Sequence, residues 1–393
     1  MFILIVSSSY APASNGQAVF STNLAEGMTR RGHEVWLLTA SDTGNPYQTE
    51  RNGVHIQNVR ALDFGFFHTE SYAALLPDWE VRKFLEKYKP DIVHLQEHYP
   101  LAVSVMKAAR RMRKKVIGTN HFMPENLAPY IPLLPKMKSL FNRTLWWWME
   151  WTFNSLDVVT APSETTVKIM CSQGVRGPIL PISCGVNLDR FHPDPAVDRQ
   201  ALRMRYGLDP DKTLFLYVGR VVVEKRLDVL IRAIKMLGRQ DIQLVISGKG
   251  TALAGYQALA DELGVKDQVV FTGFIPASDL PALLNSVELF AMPSEAELLS
   301  IASLEAMASG LPLLAARSKA LPELVTEGVN GYLFNPGDVV DASRWMALLA
   351  DHPEHWARMG AASLEKVKPH GLENVLTRYE ELYFKCISGG SKN

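Results

Sequence analysis

Cysteine is scarce in this sequence: Cys171, Cys184 and Cys386 lie far apart among 393 residues. An odd number with no CxxC pair argues against a disulfide framework and against a zinc site, and it fits a reducing compartment. Long apolar runs are missing as well. No stretch of about 18 consecutive apolar residues occurs, so a membrane-spanning helix is not expected. Met1-Phe2-Ile3-Leu4-Ile5-Val6 is apolar but too short for a signal peptide and has no basic leader; it reads as a first buried strand. Net charge is absent, with 41 Lys and Arg against 41 Asp and Glu, which argues against a nucleic-acid binder. Ser7-Ser8-Ser9-Tyr10 follows the first strand where a nicotinamide-binding fold would carry GxGxxG, which argues against a dehydrogenase. There is no low-complexity segment and no short-period repeat.

What is present is a regular alternation. Short apolar, β-branched runs at 2–7, 34–39, 54–59, 91–95, 115–119 and 157–161 predict strands. Helical patterns near 16–31, 78–88, 101–113 and 163–173 lie between them. A linker follows at 187–195, where Pro193 and Pro195 sit among polar residues. After a short helix at 199–206 the alternation restarts, with strands at 213–218, 242–247, 268–272, 287–291 and 312–315. Helices at 226–237, 252–263, 278–285, 300–309, 338–350 and 371–386 accompany them. The length suits two domains. The pattern predicts two Rossmann-like, doubly wound α/β domains facing each other across a cleft, with ligands at the carboxyl ends of the strands. We expect an acceptor-binding domain at 1–187, a donor-binding domain at 188–370, and a closing helix at 371–393 packed back on the first.

The loops after strands carry the candidate residues. Glu297 precedes a helix that begins near Ser300, and Glu305 lies inside it. Leu299, Ser300 and Ile301 open that helix, whose free N–H groups and positive dipole end suit a diphosphate. A carboxylate before the helix can accept sugar hydroxyls, and one about a turn inside it can accept both hydroxyls of a ribose. Taken alone, such a pair of glutamates is more often ordinary helix-end acidity. Gly219 ends a strand and lets a ligand approach the backbone. Arg220 and Lys225 follow on the same loop, where two cations could neutralise a departing diphosphate without a metal; the plainer reading is a basic surface loop. Gly248, in Ser247-Gly248-Lys249-Gly250, marks another strand-to-helix turn. Phe274 and Ile275 line a base pocket or belong to the core. In the first half, Ser14-Asn15-Gly16-Gln17 opens a helix, and Gly16 could admit a ligand to its N-terminus. His121 follows the fifth strand. Asp209-Pro210-Asp211 reads as a turn, not a metal site.

Together these residues resemble the retaining glycosyltransferases of family 4, which have the GT-B fold. Glu297, seven residues, Glu305 and then Ala306-Met307-Ala308-Ser309-Gly310-Leu311-Pro312 match that family's pattern, as do Gly219-Arg220 and Glu224-Lys225. The resemblance implies that Arg220 and Lys225 hold the donor diphosphate, Glu305 the ribose, and Glu297 the transferred sugar. His121 would meet that sugar from the other domain. It also implies a nucleotide-sugar substrate, UDP-glucose being expected, with no cofactor and no metal required. Leu299-Ser300 stands where the family commonly has Phe-Gly, Lys319-Ala320 where it often has Gly-Gly, and Asn15-Gly16 where it has Gly-Gly in the first loop.

The acceptor side is marked by a different composition. Residues 122–155 interrupt the alternation with four prolines and the run Leu145-Trp146-Trp147-Trp148-Met149-Glu150-Trp151-Thr152-Phe153. Six cations lie between Lys107 and Lys115, and the first 190 residues carry 20 Lys and Arg against 16 Asp and Glu. Tryptophans beside cations suit a membrane interface and anionic lipid head groups. Trp147 and Trp151 could equally pack a helix on the sheet. The run Ala296–Ile301 is similar to bacterial diacylglycerol glucosyltransferases. These features lead us to expect a cytoplasmic protein, peripheral on the inner face of the membrane, that glycosylates a lipid such as diacylglycerol. A soluble sugar or small-molecule acceptor, or a sugar-nucleotide epimerase, is the alternative.

Overall fold

The computed structural model describes residues 1–11, 15–63, 72–74, 78–126 and 135–389. Ser14, and Pro129 and Pro132 of the 122–155 interruption, lie outside them. The chain divides into two compact units, Met1–Cys184 with Leu372–Asn393, and Gly185–Gly371.

The strands in chain order are β1 (Phe2–Val6), β2 (Glu34–Ala40), β3 (Tyr47–Arg51), β4 (Val54–Val59), β5 (Ala61–Asp63), β6 (Tyr72–Ala74), β7 (Ile92–Leu95), β8 (Lys115–Thr119), β9 (Val158–Ala161) and β10 (Ile179–Pro181) in the first unit. The second holds β11 (Thr213–Val218), β12 (Ile242–Ser247), β13 (Val269–Gly273), β14 (Leu289–Met292), β15 (Leu313–Ala316) and β16 (Gly331–Phe334). The first sheet runs β10-β9-β8-β7-β1-β2-β4-β3, with only the edge strand β3 antiparallel. The second runs β13-β12-β11-β14-β15-β16, all parallel. Both are doubly wound. The order reverses between β1 and β7 in the first and between β11 and β14 in the second, and a crevice opens beyond the carboxyl ends of such strands.

The strands are apolar on both faces because helices cover both. Ile3, Leu4, Ile5 and Val6 of β1 and Leu214, Phe215 and Leu216 of β11 are fully buried, each contributing about 1.5–3 kcal/mol of hydrophobic stabilisation. Elements not expected from the sequence include β3, β5, β6, β10, β16 and the helix Trp356–Val367. The strand β3, Tyr-Gln-Thr-Glu-Arg, is exposed along its whole length, so it carries no apolar signal. The helix Trp356–Val367 carries Gly360 within it. That glycine is needed there: a Cβ on it would lie 2.1 Å from the carbonyl oxygen of Gly310.

The helix Leu372–Ser388 is bonded to the first unit. Arg31 pairs with Glu373 at 2.8 Å and Glu380 at 2.9 Å. Tyr383 Oη lies 2.7 Å from His94 Nδ1, and Tyr379 Oη 3.1 Å from Thr160 Oγ1, all buried. Among the described residues, no helix is long and apolar enough to cross a membrane.

Candidate active site

In the second unit the loops after β11 and β14 flank the reversal of strand order. Gly219 takes φ +155°, and a Cβ on it would meet the Tyr217 hydroxyl at 2.7 Å. That hydroxyl donates to the carbonyl of Arg220 at 2.7 Å, which fixes the loop's first turn. Arg220 is half-exposed and lies 3.5 Å from Glu224. A short 3-10 turn, Val223–Lys225, then delivers Lys225 inward. From the other side of the reversal comes Glu297, and Lys225 Nζ and Glu297 Oε1 form a largely buried ion pair at 2.5 Å. Burial alone would raise the Glu297 carboxyl, but Lys225, with help from Ser294 and Arg220, outweighs it and holds the group below the usual carboxylate range. A second pair, Arg226 with Glu295, crosses the same two loops. Sequence reasoning did not find either pairing, because the partners are 72 and 69 residues apart.

The helix Ile301–Ala308 starts just past this pair. Ser300 caps it, its Oγ accepting from the Ser303 N–H at 3.1 Å. Leu299 is buried and Ile301 half-buried. Glu305 is half-buried, and burial pushes its carboxyl up to about 7, against a smaller opposing pull from Arg190. Lys319, where the family often has glycine, adopts φ +49°. The left-handed turn is thus kept without glycine, at about 1 kcal/mol. The adjoining Ala320 N–H donates to the Glu297 carbonyl at 3.2 Å.

Gly248 is required by packing. With φ +148°, a Cβ on it would lie 1.8 Å from the Gly219 carbonyl oxygen, so the loops after β11 and β12 touch backbone to backbone. Phe274 and Ile275 part company: Ile275 is buried, whereas Phe274 is exposed with Lys249 Nζ 5.6 Å from its ring centroid. Asp209 accepts from the Asp211 N–H at 3.0 Å, an Asx turn. Among the described residues, the one trio of metal-type ligands is His352, Glu354 and His355, on the turn after a helix and not at the strand ends.

In the first unit, Gly16 is the exposed first residue of the helix Gly16–Arg30, capped by Asn15, which accepts from Ala18 N–H at 2.9 Å. His121 follows β8. Its Nε2–H donates to Gln96 Oε1 at 2.9 Å, its ring lies 4.8 Å from that of Phe20, and burial lowers its pKa to about 3, so it is neutral. Beside it, at the β1/β7 reversal, stands Glu97, which sequence reasoning passed over. The available signal was three polar residues, Gln96-Glu97-His98, directly after an apolar strand. Ser8 N–H (2.9 Å), Ser8 Oγ and Gln17 Nε2 (2.9 Å) all donate to Glu97 Oε2. Burial raises this carboxyl, and those donors offset part of the rise.

The tryptophan run belongs to the helix Pro135–Phe153. Trp146, Met149 and Phe153 are core. Met137, Leu140, Trp147 and Trp151 are exposed, Trp147 by 60%. The spacing of these four puts them on one side of the helix, an apolar stripe about 21 Å long at 1.5 Å per residue. Lys107 Nζ sits 5.6 Å from the Trp151 ring centroid, and Arg110, Arg111, Arg113 and Arg143 are exposed. Trp147 and Trp151 therefore do not pack the helix on the sheet.

Two family models match the chain: one described as glycosyl transferases group 1 over residues 198–366, the other as Glycosyltransferase Family 4 over residues 14–190. A GDP-mannose-dependent alpha-(1-6)-phosphatidylinositol monomannoside mannosyltransferase of Mycolicibacterium smegmatis is 38% identical over 273 residues, 67% of this chain and 68% of that protein. The alpha-monoglucosyldiacylglycerol synthase of Streptococcus pneumoniae is 25% identical over 401 residues, 98% of this chain and 86% of that protein. Among solved structures, sucrose-phosphate synthase from Thermosynechococcus elongatus shares the fold with a TM-score of 0.81 at 19% identity, over 99% of both chains.

Proposed function

Because this chain belongs to the family 4 glycosyltransferases, hexosyltransferases of the GT-B fold, we propose that it transfers a hexose, with retention and without a metal, to a hydroxyl of a membrane lipid. The observation that carries the donor half is the buried Lys225–Glu297 pair at the β11/β14 reversal, beside Arg220 and ahead of the helix Ile301–Ala308. In this reading the bond from the sugar carbon to the diphosphate breaks while the acceptor hydroxyl attacks from the same face. Arg220, Lys225 and the helix N-terminus stabilise the charge gathering on the diphosphate, whose oxygen takes the acceptor's proton. Glu297, held ionised, accepts from hydroxyls of the transferred sugar, and Glu305 from those of the ribose. His121 is neutral and fixed by Gln96 in the first domain, and the family resemblance assigns it to the sugar. Gly16, Gly219, Gly248, Phe274 and Ile275 shape the loops around the two ligands.

The apolar stripe Met137–Leu140–Trp147–Trp151 and its neighbouring cations support the lipid acceptor. Such a face inserts at the boundary of an anionic bilayer, which would hold the protein peripherally on the inner leaflet. Relatives named for lipid acceptors, one mannosyl and one glucosyl, point the same way. UDP-glucose is the first donor to try, and GDP-mannose, named for the Mycolicibacterium relative, the second. The test is turnover of UDP- and GDP-hexoses in the presence of a chelator, with and without anionic vesicles containing diacylglycerol. Sugar found in lipid only when vesicles are present supports the proposal. Transfer to soluble sugars alone refutes the lipid half, and a requirement for added metal refutes the metal-free half.

A further inference from the structure

The first domain holds a group of buried polar atoms that the donor chemistry does not use. They sit at the carboxyl ends of two neighbouring strands, β7 and β8, next to the reversal of strand order at β1. Among the described residues, Glu97 Oε1, Gln96 Nε2 and Asn120 Nδ2 are buried and have no hydrogen-bond partner. Gln96, Glu97 and Asn120 are each at least nine-tenths buried. Their positions are fixed by the rest of their bonds. The Gln96 backbone N–H donates to Val6 at 2.8 Å and that of Asn120 to Thr160 at 3.0 Å. Gln96 Oε1 is taken by His121 and Asn120 Oδ1 by the Phe122 N–H at 3.1 Å. All three donors around Glu97 converge on Oε2 and leave Oε1 bare.

Folded proteins leave few buried polar atoms unpaired. Three on adjoining strand ends, at the place where doubly wound sheets bind ligands, point to a ligand that supplies the partners. The unmet needs are mixed: one carboxylate oxygen seeks a donor, and two amide nitrogens seek acceptors. A hydroxyl group is both. A phosphate offers acceptors only and would face the Glu97 carboxylate across a buried space. We propose that Glu97, Gln96 and Asn120 form a subsite for the neutral, hydroxyl-bearing part of the acceptor, a polyol or sugar ring, and not for a phosphate.

The proposal rests on the transferase reading for its biological sense, but its test needs no turnover. Saturation-transfer NMR on the full chain, with glycerol, myo-inositol and methyl α-glucopyranoside as probes, should show signal from at least one of them. That signal should fall about tenfold, as expected for one lost hydrogen bond to a charged group, in Glu97→Gln and in Asn120→Asp, the latter keeping the bond to Phe122. UDP or GDP binding should not change, and inorganic phosphate should not displace the probe. No signal in the wild type, equal signal in both variants, or displacement by phosphate overturns the subsite. In turnover, the acceptor KM should rise about tenfold in Glu97→Gln with the donor KM unchanged. If no nucleotide sugar is turned over while the probe signal still depends on Glu97, the transferase reading falls and the subsite stands. If transfer proceeds with an unaltered acceptor KM, the subsite alone falls.

Discussion

Glu305→Gln tests both the electrostatics and the assignment of the donor site. Burial lifts the Glu305 carboxyl from 4.5 to about 7. At about 1.4 kcal/mol per pH unit, that difference corresponds to roughly 3 kcal/mol of ionisation cost. The side chain is half-buried, so solvent screening reduces this to about 1–2 kcal/mol. Because the folded-state pKa lies above the unfolded one, the contribution to stability is complete below pH 4.5 and is lost as pH rises through about 7. Glutamine does not titrate. The variant should therefore gain on the wild type between pH 5 and pH 8, by about 3–6 °C in the melting transition of the second domain. A nucleoside diphosphate should reverse the order. An ionised Glu305 accepts from ribose hydroxyls more strongly than an amide does, so ligand stabilisation of the wild type should grow from pH 6 to pH 8, and that of the variant should stay flat. Differential scanning calorimetry at the two pH values, with and without UDP or GDP, reads all of this. A melting difference independent of pH refutes the electrostatic argument. Equal nucleotide stabilisation of both proteins refutes the ribose assignment.

Three further outcomes are expected. Lys225→Met strands a buried carboxylate and should cost about 3 kcal/mol of stability; adding Glu297→Gln should restore the melting temperature but leave turnover at least about 10²-fold down, and normal turnover in either would sink the site. Gly248→Ala should lower stability by about 2 kcal/mol or more and weaken nucleotide binding together, since its Cβ would meet the Gly219 carbonyl oxygen at 1.8 Å; an unchanged melting curve would contradict the close approach of the two loops. Trp147→Asp should leave the unfolding free energy within about 0.5 kcal/mol of wild type while lowering the vesicle-bound fraction about tenfold in flotation; undiminished flotation would remove the membrane role of that face.

The alternation of apolar strands and amphipathic helices was legible because a parallel sheet covered on both faces writes itself as short buried runs, from Phe2–Val6 to Leu313–Ala316. The glutamates at 297 and 305 and the Gly219-Arg220 and Glu224-Lys225 pairs could be read because each lies within one loop or one helix turn. What the chain order could not disclose were contacts across distant segments. Lys225 meets Glu297 only because β11 and β14 are neighbours in the sheet. Gly360 looks like a helix breaker until the Gly310 carbonyl is seen against it. Glu97 follows an apolar strand as one of three polar residues, but only the fold shows its oxygen and the amide nitrogens of Gln96 and Asn120 as unpaired polar atoms at the ends of β7 and β8. The tryptophans make the division plainest. Sequence by itself determined that four of them share one helical stretch near a basic run. Only tertiary packing decided that Trp146 enters the core and Trp147 faces outward, because successive residues on a helix point about 100° apart and the side that is buried depends on where the sheet lies.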